Sequence, residues 1–296
     1  MSTAIGAGRD LAAAQLARLL ESYSVEVTAR DATSFDRLAG RLPTGAEVFV
    51  ANIPNDSLDL LVRAAARLRA LGFVPVPHVV ARNIRDLVEL DSLMKRLAGE
   101  AGVDRVLSLG GDRDKPVGTL DASLQLIESG AYEKYGVRHV TLACYPEGHP
   151  RIGEQLLRSA LDAKLAEAAR RGLEVRLVSQ FTFDPEPILA MTRRFRAAGI
   201  SAPLRVGVAG PASRAKLIRY AMRCGVGASL RALTERKSLA SSFLGGETPD
   251  ELLSIVALAA AGDAALGIEG VHFFTFGAPE SSVEWAQTTR AARPGA

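Results

Sequence analysis

Eight times along this chain a short run of aliphatic and β-branched residues gives way to a stretch whose apolar residues recur at helical spacing. The strand-like runs lie at 24–28, 47–52, 74–80, 105–109, 139–144, 175–183, 204–209 and 271–276. Helical patterns occupy 9–22, 34–39, 57–71, 84–101, 122–129, 152–171, 187–198, 213–223, 249–261 and 281–292. Strands alternating with helices predict a parallel sheet covered by helices. Eight such units in 296 residues fit an α/β fold, a (β/α)8 TIM barrel with an extra N-terminal helix over 1–22. The competing architecture is a doubly wound open sheet, but its dinucleotide fingerprint is missing. Gly6-Ala7-Gly8 has no strand before it, and Gly110-Gly111-Asp112 lacks the third glycine. No linker rich in Pro, Gly or Ser divides the chain, so one domain is expected over 1–296. The segment 225–248 reads as an elaborated loop after the seventh strand.

The charge pattern removes several function classes. The net charge is only +3, and the arginines are interspersed with Asp and Glu along helices. There is no basic tail or aromatic-interleaved stripe, so no nucleic-acid partner is expected. Two cysteines, Cys144 and Cys224, cannot form a disulfide framework. Cys144 ends a strand with no His–Asp pair legible around it and reads as a small buried residue. No apolar run is long enough to span a bilayer, and no signal peptide is visible. A cytoplasmic protein with no membrane association is expected.

Polar residues collect where the strands end, which is where a TIM barrel builds its sites. Glu26, Asn52, His78, Asp112, Tyr145, Glu147, His149, Gln180 and Thr275 all fall in or just after strands. Glu26 lies between Val25 and Val27. A carboxyl directed into the barrel would be poorly solvated, which raises its pKa and suits general-acid work. Gly110-Gly111-Asp112 reads either as a place where backbone approaches a ligand or as a plain tight turn. His78, His149, Asp112 and Glu26 would also suit a metal hydrolase, but the early His-X-His pair usual in barrel hydrolases is absent. No metal is expected.

Taken in order, these strand ends resemble the methylenetetrahydrofolate reductase family. The resemblance rests on Ser24-Val25-Glu26, Pro77-His78, Gly111-Asp112, the run Tyr145-Pro146-Glu147-Gly148-His149-Pro150, and Ser179-Gln180 continuing to Asp184. Further matches are the stretch from Ser213 to Gly225, with Tyr220, and His272-Phe273 with Thr275. The family is a flavin-dependent barrel that uses NADH or NADPH to reduce 5,10-methylenetetrahydrofolate to 5-methyltetrahydrofolate, with hydride passing through FAD. The resemblance implies that Glu26 is the general acid that opens the folate's methylene bridge. It implies that Asp112 lies beside flavin and pterin and tunes both. Gln180 would hydrogen-bond the folate, and Tyr220 would contact the folate side chain or the nicotinamide. Asn52, His78, Gly111, Tyr145, His149 and Lys164 match flavin-contacting positions.

The departures from the family pattern fall mainly on the flavin side. Glu26 is followed by Val27-Thr28-Ala29-Arg30-Asp31 where the family has two aromatics and two prolines. Gly110 stands where the family has arginine, and Ala163 replaces a basic residue before Lys164. Two alternatives therefore stay open: direct hydride transfer from nicotinamide to folate without flavin, and a folate-dependent one-carbon transferase on the same barrel. Expected partners are tetrahydrofolate derivatives, NAD(P)H and further copies of the chain in a homo-oligomer. The expected setting is one-carbon metabolism serving methionine biosynthesis.

Overall fold

The computed structural model describes residues 2–227 and 248–292. Eight strands form one closed parallel barrel in sequence order. They are β1 (Tyr23–Thr28), β2 (Glu47–Ala51), β3 (Val74–Val80), β4 (Arg105–Leu109), β5 (His139–Cys144), β6 (Glu174–Ser179), β7 (Leu204–Ala209) and β8 (Ile268–Phe274). The flanking helices are α1 (Ser2–Leu19), α2 (Ala32–Leu38), α3 (Leu58–Ala70), α4 (Leu87–Ala101), α5 (Ser123–Glu128) and α6 (Ala131–Lys134). They continue as α7 (Glu154–Arg170), α8 (Pro185–Ala197), α9 (Arg214–Cys224), α10 (Asp250–Gly262) and α11 (Pro279–Ala291). The expected (β/α)8 barrel with an N-terminal helix is therefore the fold. Most of the expected loop 225–248 lies outside the described residues.

Local chemistry explains where the elements start. Ser57 caps α3 by accepting the N–H of Leu60, and Asp86 caps α4 by accepting that of Glu89. The Asp86 cap moves the start of α4 to Leu87, because residues 81–83 form a short 3-10 turn first. Asp184 caps α8, with Pro185 at its first position. Strand β6 ends at Ser179, four residues earlier than its apolar run suggests. Beyond it the Thr182 hydroxyl accepts the N–H of Asp184, which turns the chain toward that cap.

By its internal contacts the chain groups into two units. The first comprises Met1–Val25, Cys144–Pro150 and Val178–Ala296. Within it β8 pairs with β1 and β7, placing Ser24 opposite His272 and Val206 opposite Val271. Arg205 is buried, donating to Ser22 at 3.1 Å and to Glu269 at 3.4 Å.

The second unit comprises Glu26–Ala143 and Arg151–Leu177. Its strands β2 to β5 pair in register, with Phe49 beside Val76, His78 beside Leu107 and Leu107 beside Thr141. Strands covered on both faces read as continuous apolar runs, and β2 is buried from Glu47 to Val50. At the N-terminal ends of these strands the buried Glu47 carboxylate takes Arg105 at 2.6 Å and Arg176 at 2.9 Å. Asp104 and Glu47 hold Arg105 charged, raising its pKa above the ordinary value. In a TIM barrel that end is the stability face.

Candidate active site

In the second unit, Glu26 and Val27 lie on β1 beyond the buried Val25. Val27 is buried too, while Glu26 between the two valines keeps a side chain 23% exposed. Glu26 also meets His78. Oε2 of Glu26 lies 3.4 Å from Nε2 of His78, whose own side chain is 8% exposed. The Phe49 ring sits edge-on to the imidazole at 6.3 Å and helps fix its plane.

Asn52 follows β2 and is 7% exposed. Its carbonyl and Oδ1 both accept from Nδ2 of Asn83, at 3.3 and 3.2 Å. Its own Nδ2 is buried with no hydrogen-bond partner among the described residues. A buried donor without an acceptor is costly, which makes this atom a candidate contact for a ligand's oxygen.

The loop after β4 carries Asp112, whose side chain is exposed. Arginines strap this loop. Arg82 donates to the carbonyls of Asp121 at 2.9 Å and Arg113 at 2.7 Å. Arg113 donates to Asn83 at 2.8 Å and to Asn55 at 3.0 Å. Arg151 reaches the Asp112 carbonyl at 3.1 Å and the Asp114 carboxylate at 2.7 Å. The guanidinium absent at position 110 thus has neighbours of the same chemistry at 82 and 113, which the sequence reading missed. The signal was Arg113 directly after Asp112.

Gly111 needs no ligand to explain it. Its φ is +106°, and a Cβ there would lie 2.4 Å from Cγ1 of Val80. The tight-turn reading of this glycine is sufficient. Lys164 lies half-buried on α7.

In the first unit, Cys144 is buried with its sulfur 3.5 Å from the Val178 carbonyl. The Cys144 carbonyl accepts the backbone N–H of Gln180 at 2.8 Å. Gln180 lies one residue past β6, not within it. Its Oε1 accepts the N–H of Phe181 at 3.0 Å, which fixes the orientation of the amide. Tyr145 and His149 meet edge to face at 5.1 Å. Gly225, at the start of the 225–248 segment, packs so closely on Pro150 that a Cβ would lie 2.5 Å from the proline ring.

Tyr220 is stacked on Phe276 at 4.3 Å. Phe276 belongs to a cluster with Phe181, Phe183 and Phe274, around Leu217 and Val226. Its backbone is left-handed, φ +50°, and its carbonyl accepts from Lys216 at 3.2 Å. Such strain in a bulky residue collects at functional sites. Ser24 and His272 are both buried and meet at 2.9 Å. The structure thus joins Glu26 with His78, Tyr145 with His149, and Asn52 through Asn83 with Arg113. It packs Tyr220 into an aromatic cluster that the sequence reading did not foresee.

Among the described residues no group of three or more His, Cys, Asp or Glu side chains is placed to hold a metal ion. Among those residues no helix is long and apolar enough to cross a membrane.

Among solved structures the chain is similar to a putative phosphonomutase from Burkholderia cenocepacia J2315. Identity is 13%, coverage is 96% of each chain, and the TM-score is 0.51. It is also similar to the dihydropteroate synthase of Thermus thermophilus, at 13% identity, 90% and 93% coverage and a TM-score of 0.45. The first likeness shows the fold and nothing more. The family model for methylenetetrahydrofolate reductase matches residues 34–284. That span takes in β2 to β8 and every strand-end residue described above except those on β1. The chain belongs to the methylenetetrahydrofolate reductase family.

Proposed function

We propose that the protein interconverts 5,10-methylenetetrahydrofolate and 5-methyltetrahydrofolate with NAD(P)H, with FAD as the carrier of the hydride. The contact between Glu26 and His78 carries this reading. It sets a partly buried carboxyl on a barrel strand beside an imidazole, an arrangement suited to a general acid.

Opening the methylene bridge needs a proton on the departing folate nitrogen, and Glu26 supplies it. The bridge carbon then becomes electrophilic and accepts hydride. The family resemblance assigns Gln180 a hydrogen bond to the folate and Asp112 the tuning of pterin and flavin. Tyr220, backed by Phe276, offers an aromatic surface for the folate side chain or nicotinamide. No protein nucleophile is needed.

The residues present fit a flavin. The unsatisfied Nδ2 of Asn52 supplies a donor for a ring or phosphate oxygen. The family resemblance assigns Tyr145, His149 and Lys164 to the flavin as well. FAD, when bound, supplies a two-electron carrier between nicotinamide and folate.

A second reading is favoured by the engagement of His78 with Glu26 and by Gly110 in place of arginine. In it hydride passes directly from nicotinamide to folate. The ligands in either case are tetrahydrofolates and NAD(P)H, in a cytoplasmic homo-oligomer serving methyl supply for methionine.

The test is the visible spectrum of purified protein with FAD and NADH, followed by turnover with NAD(P)H deuterated at the transferred position. A flavin spectrum bleached by NADH supports the FAD reading. A colourless protein that delivers the label into the folate methyl group supports direct transfer. No methylated folate under either condition overturns both.

A further inference from the structure

We infer that Glu26 and His78 act as one acid, an ion pair in which the protonated imidazole reloads the carboxylate, so that His78 is a positioning residue working through Glu26 and not primarily a flavin contact. This rests on the proposed folate chemistry for its purpose, but the coupling itself is a property of the unliganded protein. The resemblance assigned His78 to the flavin. The structure instead sets its Nε2 at ion-pair distance from Glu26, 3.4 Å from Oε2 without hydrogen-bond geometry, and stands the Phe49 ring at a steep angle to the imidazole.

The elements next to the pair place the following groups near it. By register β4 brings Leu107 beside His78. The next residue, Ser108, is held by the neutral Tyr132 phenol. From β2 come Phe49 and, beyond its end, the neutral amide of Asn52. In the loops that follow, Arg30 pairs with Asp56 and Arg113 is held by Asn83 and Asn55, while Asp112 is exposed. Glu47, the other carboxylate on these strands, lies at their opposite ends and is satisfied by Arg105 and Arg176.

The proton balance is simple. Glu26 gives its proton to the folate nitrogen as the C–N bond of the bridge breaks, and becomes a carboxylate. Hydride from NAD(P)H then converts the bridge carbon to a methyl group and leaves NAD(P)+. The Glu26 carboxylate is recharged from Nε2–H of a protonated His78, which is reloaded from solvent. A carboxyl alone loses its proton at one pKa, whereas two strongly coupled groups release theirs in two steps that belong to the pair. The upper step extends the range over which one proton is held near the substrate toward the imidazole range.

The experiment has two arms. The first follows the four histidine rings of the full-length protein by NMR through a pH titration, in wild type and in Glu26→Gln. The expected result is that the His78 titration shifts by at least about one pH unit in the variant, while His139, His149 and His272 do not move. An unmoved His78 overturns the inference whatever the enzyme's activity. The second arm measures single-turnover folate reduction in wild type, His78→Gln, Glu26→Gln and the double variant. His78→Gln should move the alkaline limb of the pH profile to lower pH, and its effect should vanish in the Glu26→Gln background. A uniform loss with an unchanged profile, or an effect that persists without Glu26, overturns the inference. Coupled titration together with absence of any folate turnover would keep the pair and overturn the proposed reaction instead.

Discussion

Glu26 and His78 are separated by a whole βα unit in sequence, yet their side chains meet at 3.4 Å. Neither residue alone specifies chemistry, because a lone strand-end histidine or glutamate is common. Their meeting is what turns two polar residues into a candidate acid, and it is made between β1 and β3, which flank β2 on either side in the barrel.

Glu26→Gln keeps the shape and removes the transferable proton. Folate turnover should fall by about 10²- to 10⁴-fold, the usual worth of a positioned acid. NAD(P)H oxidation by an artificial acceptor should fall far less. Steady-state assays of the two reactions side by side check this, and equal losses would remove Glu26 from the acid's role.

Tyr132 is fully buried, and its hydroxyl donates to Ser108 at 2.9 Å. Burial pushes the phenol pKa up, so it stays neutral at any working pH. Tyr132→Phe leaves Ser108 without its partner and should cost about 1–2 kcal/mol in urea unfolding. Adding Ser108→Ala should recover part of that loss, because both polar groups are then gone.

Glu167 ties Arg170 and Arg171 on α7, and Arg171 also pairs with Glu133 of α6. Hydrogen bonds from Arg170 and Arg171 lower the Glu167 pKa to about 2. A carboxylate depressed in the folded state stabilises it above the unfolded pKa of about 4.3, and that contribution disappears as pH falls toward 2. Wild-type Tm should therefore decline across this window more steeply than that of Glu167→Gln. Parallel curves would show that the pairing contributes nothing.

Arg113 fixes the loop carrying Asp112 through Asn83 and Asn55. Arg113→Met keeps the stem and removes those bonds. Hydrogen exchange over residues 110–121 should speed up, with β4 itself unaffected. If the loop stays as protected as before, Arg82 and Arg151 hold it without Arg113.

The fold was legible because hydrophobic periodicity records burial, and all eight strands overlap the runs that period marks, although β8 starts three residues before its run and ends two before the run does. The misplaced boundaries have local causes. Gln180 to Phe183 is apolar enough to continue β6, but the Thr182 and Asp184 turn ends it at Ser179. The helix expected from 84 waits for the Asp86 cap. The site was legible as a set of residue types at strand ends. Its contacts were not, because register and side-chain direction across strands leave no mark in a single sequence. The Glu26–His78 contact, the Asn83–Arg113 strap and the stacking of Tyr220 on Phe276 all belong to that second class.

The most direct measurement mixes purified protein with 5,10-methylenetetrahydrofolate and NAD(P)H, with and without added FAD, and quantifies 5-methyltetrahydrofolate by mass spectrometry. The account predicts methylated folate in proportion to NAD(P)H consumed, and almost none from Glu26→Gln. NAD(P)H left unconsumed and no 5-methyltetrahydrofolate from the wild-type protein would contradict it.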